Sequence, residues 1–90
     1  MQINRKAVAG TLESSDVFIQ VEPSNEGIKI DLESVVINQF GEEIERVVRD
    51  VLQEFQVENI KIQVKDRGAV ECAIRARVET ALRRAEGMDD

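Results

Sequence analysis

The stretch IKIDLESVVINQFGEEIERVVRDVLQEFQVENIKIQVK, residues 28–65, decides the fold. Its first and last six residues alternate between aliphatic and polar side chains, which is typical of strands with one buried face. The residues between them repeat apolar side chains at helical spacing. A strand, a helix and a second strand with short connections predict a right-handed crossover and a parallel pair of strands.

The helix of this unit is predicted to begin near Asn38, a suitable N-cap. Glu42 and Glu43 follow in its first turns, where acidic side chains suit the helix dipole. Apolar side chains then form one stripe along about four turns. The stripe consists of Phe40, Ile44, Val47, Val48, Val51, Leu52 and Phe55.

The amino-terminal side indicates two further strands. A short strand is expected near residues 6–11, and residues 12–16 are rich in turn formers. Residues 17–22 alternate as a second strand. The five-residue loop 23–27 then leads into the strand 28–33, so we expect these two strands to pair as an antiparallel hairpin.

The carboxyl-terminal side predicts a second helix after a turn at Asp66-Arg67-Gly68. Gly87 should end this helix, because glycine readily adopts the left-handed conformation of a C-cap. The apolar stripe includes Arg77 at its edge. Its members are Val70, Ala73, Ile74, Arg77, Val78, Ala81, Leu82 and Ala85.

The predicted fold class is therefore α+β, a two-layer sandwich. A small mixed sheet of three or four strands has two amphipathic helices on one face, in the order β-β-β-α-β-α. Ninety residues suffice for one domain, residues 1–90. We expect residues 1–5 and 87–90 to be frayed.

The composition excludes several kinds of site. The chain has no histidine, so a zinc site of the usual Cys/His kind and histidine acid/base catalysis are excluded. One cysteine and the absence of a secretory or membrane-spanning segment favour the cytoplasm. The net charge is −6, all of it in residues 1–45, which argues against nucleic acid and anionic membranes as partners.

The second helix carries a possible binding patch of Arg75, Arg77, Arg83 and Arg84. The simpler interpretation is a solvated helix face that pairs its own charges, because opposite charges alternate at a spacing of four. The alternating residues are Glu71, Arg75, Glu79 and Arg83.

Three other side chains could carry chemistry, and the residues argue against each. Cys72 is expected to be a small, partly buried filler, since no histidine activates it. Asp31 and Glu33 share the polar face of a strand. We expect both carboxylates to lie in solvent, whereas acid/base catalysis needs a carboxyl group that is at least partly buried.

The turn Ser14-Ser15-Asp16 is the remaining feature. By itself it indicates only a hairpin turn. A serine in an exposed turn is also accessible to a modifying enzyme, and a chain without catalytic side chains can take part in chemistry through an attached cofactor. The residues alone leave both interpretations open.

The sequence resembles the acyl carrier protein (gamma) subunit of citrate lyase. Four separated stretches carry the resemblance, in the order and approximate spacing of the family. They are Ala7-Val8-Ala9-Gly10-Thr11-Leu12-Glu13-Ser14-Ser15-Asp16, Gln39-Phe40-Gly41, Asp66-Arg67-Gly68-Ala69, and Cys72 with Arg75-Ala76-Arg77. The first stretch is the most specific of the four.

The resemblance implies that Ser14 carries a covalent phosphoribosyl-dephospho-CoA arm through a phosphodiester, with Ser15 as the chemical alternative. It implies a carrier that is not an enzyme by itself. Its arm would hold acetyl and citryl thioesters between the transferase (alpha) and lyase (beta) subunits as citrate is cleaved to acetate and oxaloacetate. A holo-synthase would attach the arm and an acetate ligase would load it.

Two other functions remain open from the sequence. The chain could be the acyl carrier subunit of a malonate decarboxylase, which uses a similar arm. It could also be a small interaction domain without a cofactor, with an edge strand or Phe18 as its contact. A self-sufficient enzyme would need an unassisted hydroxyl or thiol, and these are poor nucleophiles.

Overall fold

A computed structural model describes the backbone of residues 1–35 and 37–87 and the side chains of residues 1–35 and 41–87. Four strands and two helices follow one another along the described chain in the predicted order, β-β-β-α-β-α. They are β1 (Ala7–Gly10), β2 (Val17–Glu22), β3 (Ile28–Ser34), α1 (Ile37–Glu54), β4 (Ile60–Asp66) and α2 (Glu71–Glu86). No described helix is long and apolar enough to cross a membrane.

The strands form one mixed sheet in the order β1-β2-β4-β3. β1 pairs with β2 and β2 with β4 in antiparallel fashion, whereas β3 and β4 are parallel. The parallel pair that residues 28–65 predict is confirmed. The α+β class with its order of elements is confirmed as well.

The predicted hairpin between residues 17–22 and 28–33 is wrong, because β4 lies between these two strands. The two strands do run antiparallel, but across a gap of two strand spacings, roughly 10 Å. Five residues can span that gap, since an extended chain covers about 3.3 Å per residue. The loop is fixed to the start of β4 by a hydrogen bond from Ile60 N to Gly27 O, 3.0 Å long.

Side-chain chemistry explains why β4 is central and β3 is at the edge. The inward residues of β4, Ile60, Ile62 and Val64, are almost fully buried. Those of β3 are only partly buried, and its outward residues are charged, as suits an edge strand. β4 also places Lys61 within 3.6 Å of Glu22.

Both helices bury their stripes against one face of the sheet. The α1 residues Ile44, Val47, Val48, Val51 and Leu52 are buried, as predicted. In α2 the buried residues are Ile74, Val78, Ala81, Leu82 and Ala85, whereas Val70 precedes the helix and is exposed. The side chains of Asn38 and Phe40 lie outside the described residues, although the backbone places Asn38 within α1.

The two ends of the chain meet at α2. Gly87 adopts a left-handed φ of 74° and ends the helix, as predicted. Residues 1–5, expected to fray, lie against the last turn: Ile3 is buried, and Asn4 N donates to Ala85 O at 3.0 Å. Residues 88–90 lie outside the described residues, and the extent of the domain stays a prediction.

Candidate functional site

Ser14 lies in the connection between β1 and β2, residues 11–16, at the end of the sheet where β1 ends. Gly10 makes the sharp departure from β1 possible. Its φ is 90°, and a Cβ atom there would stand 1.9 Å from the carbonyl oxygen of Val17. Only glycine tolerates that combination of backbone angle and contact.

Within this connection, Glu13 to Asp16 form a tight turn. The amide of Asp16 donates to Glu13 O at 3.1 Å, and Ser15 has a φ of 66°. A positive φ at the third residue is typical of a type II turn. Ser14 is therefore the second residue of the turn and is exposed. Its hydroxyl makes no hydrogen bond with any residue that the structure describes.

The carboxylate of Asp16 holds the turn together. One oxygen accepts from the Thr11 hydroxyl at 2.7 Å, and the other accepts from the Val17 amide at 2.7 Å. The Arg77 guanidinium of α2 donates to both oxygens, at 3.0 and 3.3 Å. The Thr11 hydroxyl first, then the Val17 amide and Arg77, lower the pKa of Asp16 to about 2.

The turn is also bonded to the segment that follows β4. Ser15 N donates to Arg67 O at 2.8 Å, and Arg67 N donates to Asp16 O at 2.9 Å. Asp66 anchors this segment: it is buried and accepts from the Ser34 hydroxyl at 2.7 Å and from Ala69 N at 3.0 Å. The turn thus rests on the end of β4 as well as on α2.

This arrangement presents an exposed hydroxyl on a fixed backbone, and none of the described residues accepts a hydrogen bond from that hydroxyl as a general base would. Asp16 is held as an anion by its donors, and a carboxyl with a pKa near 2 does not exchange protons near neutral pH. Unassisted, the Ser14 hydroxyl is a weak nucleophile. The geometry suits a point of covalent attachment better than a catalytic centre.

The arginines of α2 do not form a free patch. Arg75 bonds Glu54 of α1, Arg77 bonds Asp16, and Arg84 donates to Val8 O at 2.8 Å. The predicted pairing within the helix holds only for Glu79 and Arg83, 3.9 Å apart. The helix therefore uses its arginines mainly to contact other elements.

The remaining candidates carry no site. Cys72 is exposed in the first turn of α2, so the expectation of a partly buried filler is wrong. Cys72 adjoins the buried stripe of α2 but is not one of its members, so its side chain stays in solvent. Asp31 and Glu33 are exposed on the outer face of β3, as expected, and Phe18 is half-buried on the outer face of β2.

The contact between Asp16 and Arg77 is the feature that sequence reasoning missed. The sequence places Arg77 at the edge of an apolar stripe, in a possible arginine patch and in a stretch of the family resemblance, but it predicts no partner for the side chain. An arginine at the border of a buried helix face keeps its head group at a polar partner, so a carboxylate opposite could have been anticipated. Which carboxylate this is could not, since Asp16 is 61 residues away.

Comparison with known sequences finds relatives that match nearly the whole chain. Residues 4–85 match the model of a family described as malonate decarboxylase delta subunit (MdcD). A citrate lyase acyl carrier protein of Treponema denticola is 53% identical over 85 residues, 94% of this chain and 97% of the relative. That of Oenococcus oeni is 46% identical over 90 residues, 100% of this chain and 93% of the relative.

Solved structures share the fold at low identity. A chain of a Pseudomonas malonate decarboxylase hetero-tetramer, crystallised with malonate, superposes with a TM-score of 0.81 at 20% identity. The match covers 92% of this chain and 86% of that chain. A homoserine kinase from Cytophaga hutchinsonii superposes with a TM-score of 0.63 at 11% identity, with 38% of its chain covered. These likenesses concern the fold alone.

Proposed function

We propose a function for this chain on the premise that it belongs to the citrate lyase acyl carrier protein family, as its relatives show. The chain serves as the acyl carrier subunit of a citrate lyase, with its prosthetic group on Ser14. The observation that carries the proposal is the exposed, unbonded hydroxyl of Ser14 on a turn whose backbone is fixed on both sides.

The surroundings of Ser14 are compatible with a large covalent group. Leu12, Glu13, Ser14 and Ser15 are all exposed, so a phosphodiester on Ser14 meets no packed side chain of the turn. The Ser15 hydroxyl is equally exposed and equally without a hydrogen bond among the described residues, so what separates the two serines is the left-handed backbone of Ser15 and the position of Ser14 in the stretch that resembles the family. We therefore assign the attachment to Ser14.

The proposed group is phosphoribosyl-dephospho-CoA, and when bound it supplies a thiol that carries the acyl group as a thioester. The chain's own residues act as its support. Thr11, Asp16 and Arg77 fix the turn, and Ser14 provides the oxygen of the linkage. None of these residues needs to move a proton during acyl transfer.

The proposed partners are those that the resemblance to citrate lyase acyl carrier proteins implies. We propose that transferase (alpha) and lyase (beta) subunits supply the chemistry, that a holo-synthase attaches the arm, and that an acetate ligase loads it. Tethering to a small subunit raises the effective concentration of the acyl group at both partners. The proposed location is the cytoplasm.

A second candidate is the acyl carrier subunit of a malonate decarboxylase. Two observations favour it: the description of the matching family model and the TM-score of 0.81 to a malonate decarboxylase chain. The citrate lyase relatives support the first candidate more strongly, because they are 46–54% identical, against 20% for that chain.

The test is intact mass followed by peptide mapping, on protein purified from its native host or co-expressed with the holo-synthase. We expect the added mass of the arm on the peptide that contains Ser14. Ser14→Ala should fold normally and lose the whole of the added mass. Ser15→Ala and Ser24→Ala serve as matched serine controls and should keep it.

The outcomes separate the candidates. A wild-type chain that stays unmodified beside an active holo-synthase would overturn the carrier role and favour an interaction domain without a cofactor. Added mass on Ser14→Ala would move the site to another residue. Release of oxaloacetate from citrate with the citrate lyase subunits, and no turnover of malonate with decarboxylase subunits, would decide between the two carriers.

A further inference from the structure

Arg67 is the cationic side chain placed next to the turn of Ser14 by the backbone itself. Its carbonyl oxygen accepts from Ser15 N at 2.8 Å, and its amide donates to Asp16 O at 2.9 Å. These two bonds fix the Cα of Arg67 beside the residues that follow Ser14. The side chain is exposed, and Gly68, with a φ of 93°, turns the chain away immediately afterwards.

Arg67 differs from the other arginines in having no partner for its guanidinium among the described residues. The other seven each make a hydrogen bond, an ion pair or both within the described residues. They are Arg5, Arg46, Arg49, Arg75, Arg77, Arg83 and Arg84. The arginine whose guanidinium lacks a partner among the described residues is therefore the one whose backbone is bonded to the Ser14 turn.

The charges around the turn leave room for an anion at Arg67. The carboxylate of Asp16 is already engaged by Thr11, Val17 and Arg77, so it does not compete for Arg67. Glu13 is exposed in the same turn and would repel a negative group on Ser14. Arg67, whose backbone is bonded to the residues that follow Ser14, is a cation close enough in the fold to offset this repulsion.

We propose that Arg67 binds a phosphate group of the substituent carried by Ser14, an inference that rests on the proposed function. The chemistry recognised is a phosphodiester or diphosphate oxygen. Arginine suits this task because its planar guanidinium offers paired donors that match two phosphate oxygens. Arg67 is thus a binding residue for the base of the arm, and it limits the directions in which the arm leaves the turn.

The contact is exposed, so it should be weak and sensitive to salt. Exposed ion pairs lose most of their attraction as the Debye length falls from about 10 Å at 0.1 M salt to about 3 Å at 1 M. The arm would be held near the turn at low salt and released at high salt. A partner subunit that offers its own cations could release it in the same way.

The experiment is nuclear magnetic resonance on apo and holo protein labelled with ¹⁵N. We expect the side-chain Nε–H resonance of Arg67 to shift on attachment of the arm, and the shift to disappear in 1 M salt. The ³¹P line of the Ser14-linked phosphodiester should be broader in the wild type than in Arg67→Gln, because the contact slows its motion. Arg67→Lys should lie between the two.

Arg49→Gln is the matched control, since Arg49 is exposed and pairs with Glu45 on the outer side of α1, 2.9 Å away. It should leave the ³¹P line unchanged. If the arm cannot be attached to Arg67→Gln, the shift of the Arg67 resonance between apo and holo wild type still tests whether Arg67 contacts the arm.

An arm mapped to Ser14 whose attachment leaves the Arg67 resonance unmoved would overturn the inference and leave the proposed function intact. A chain that never receives an arm would instead overturn the proposed function.

Discussion

Residues 11–16 and 23–27 are two short loops at opposite ends of β2, both with serine and other turn-forming residues. The first closes a hairpin between neighbouring strands, whereas the second crosses the start of β4 to reach β3. The first contains Ser14 and Ser15 and the second contains Ser24, and Ser14 differs from Ser24. The Ser24 hydroxyl accepts a hydrogen bond from Glu26 N at 3.2 Å, whereas the Ser14 hydroxyl is unbonded among the described residues.

The loops also differ in what anchors them. Residues 23–27 are fixed by neutral bonds to the start of β4, including Gly27 N to the Asn59 side chain at 3.0 Å. Residues 11–16 are fixed by a carboxylate, Asp16, that gathers donors from its own loop and from α2. The loop of Ser14 is thus held by bonds that do not involve the Ser14 hydroxyl, and we expect folding not to need that hydroxyl.

Gly10, which precedes the first loop, and Gly27, which ends the second, allow the most severe test. Gly10 and Gly27 have nearly the same φ, 90° and 87°, but a Cβ at Gly10 would meet the carbonyl of Val17, whereas nothing lies within 4 Å at Gly27. We expect Gly10→Ala to lower the free energy of unfolding by about 2–5 kcal/mol, from backbone angle and overlap together. Gly27→Ala should lose about 1–2 kcal/mol, from the backbone angle alone.

Urea denaturation of both variants measures the difference. If Gly10→Ala proves as mild as Gly27→Ala, the chain does not approach Val17 as closely as described, and the base of the Ser14 loop is less rigid than we infer.

The anchors allow a second test, by pH. The pKa of Asp16 is lowered from 3.8 to about 2 in the folded protein, so its carboxylate stabilises the fold above pH 4, and that contribution is lost as the pH falls towards 2. Asp16→Asn should therefore be clearly less stable than the wild type at pH 6. The difference should shrink as the pH is lowered through 4 to 3.

Asn59→Ala is the control for the loop 23–27. It removes the hydrogen bond from Gly27 N to the Asn59 side chain, and neither group titrates in this pH range. Its loss of stability should be the same at pH 6, 4 and 3, as measured by urea denaturation. A constant difference for Asp16→Asn would mean that the carboxylate is not held by its donors, and that the two loops are anchored alike.

Prediction from sequence succeeded where structure depends on neighbours along the chain. Alternation in β3 and β4 and the stripe of α1 are local patterns, so the parallel unit was predicted correctly. The pairing of β2 was predicted wrongly, because pairing is decided between strands far apart in sequence. The loop 23–27 was predicted to be a hairpin turn, but it connects two strands that are separated by β4.

The candidate site was likewise predicted only where it depends on residues that are close together in the sequence. Composition excluded histidine chemistry, and turn formers located the loop of Ser14, but its role as an attachment point came from a family resemblance and remains a proposal. The bonds that fix the turn join Asp16 to Arg77 and Ser15 to Arg67. They connect three distant segments, and no periodicity in one segment reports on them.

The smallest expected effect concerns the two adjacent serines of the turn. Ser15 has a φ of 66°, a region that glycine occupies without strain, whereas the φ of Ser14 is not positive. In Ser15→Gly the relief of this strain offsets the extra freedom of the unfolded chain, so stability should change by less than about 0.5 kcal/mol. Ser14→Gly gains no such relief and should lose about 0.5–1 kcal/mol. Urea denaturation of both variants tests this order. Equal losses would mean that the turn does not hold Ser15 in the left-handed region, and the backbone argument for Ser14 over Ser15 as the attachment site would fail.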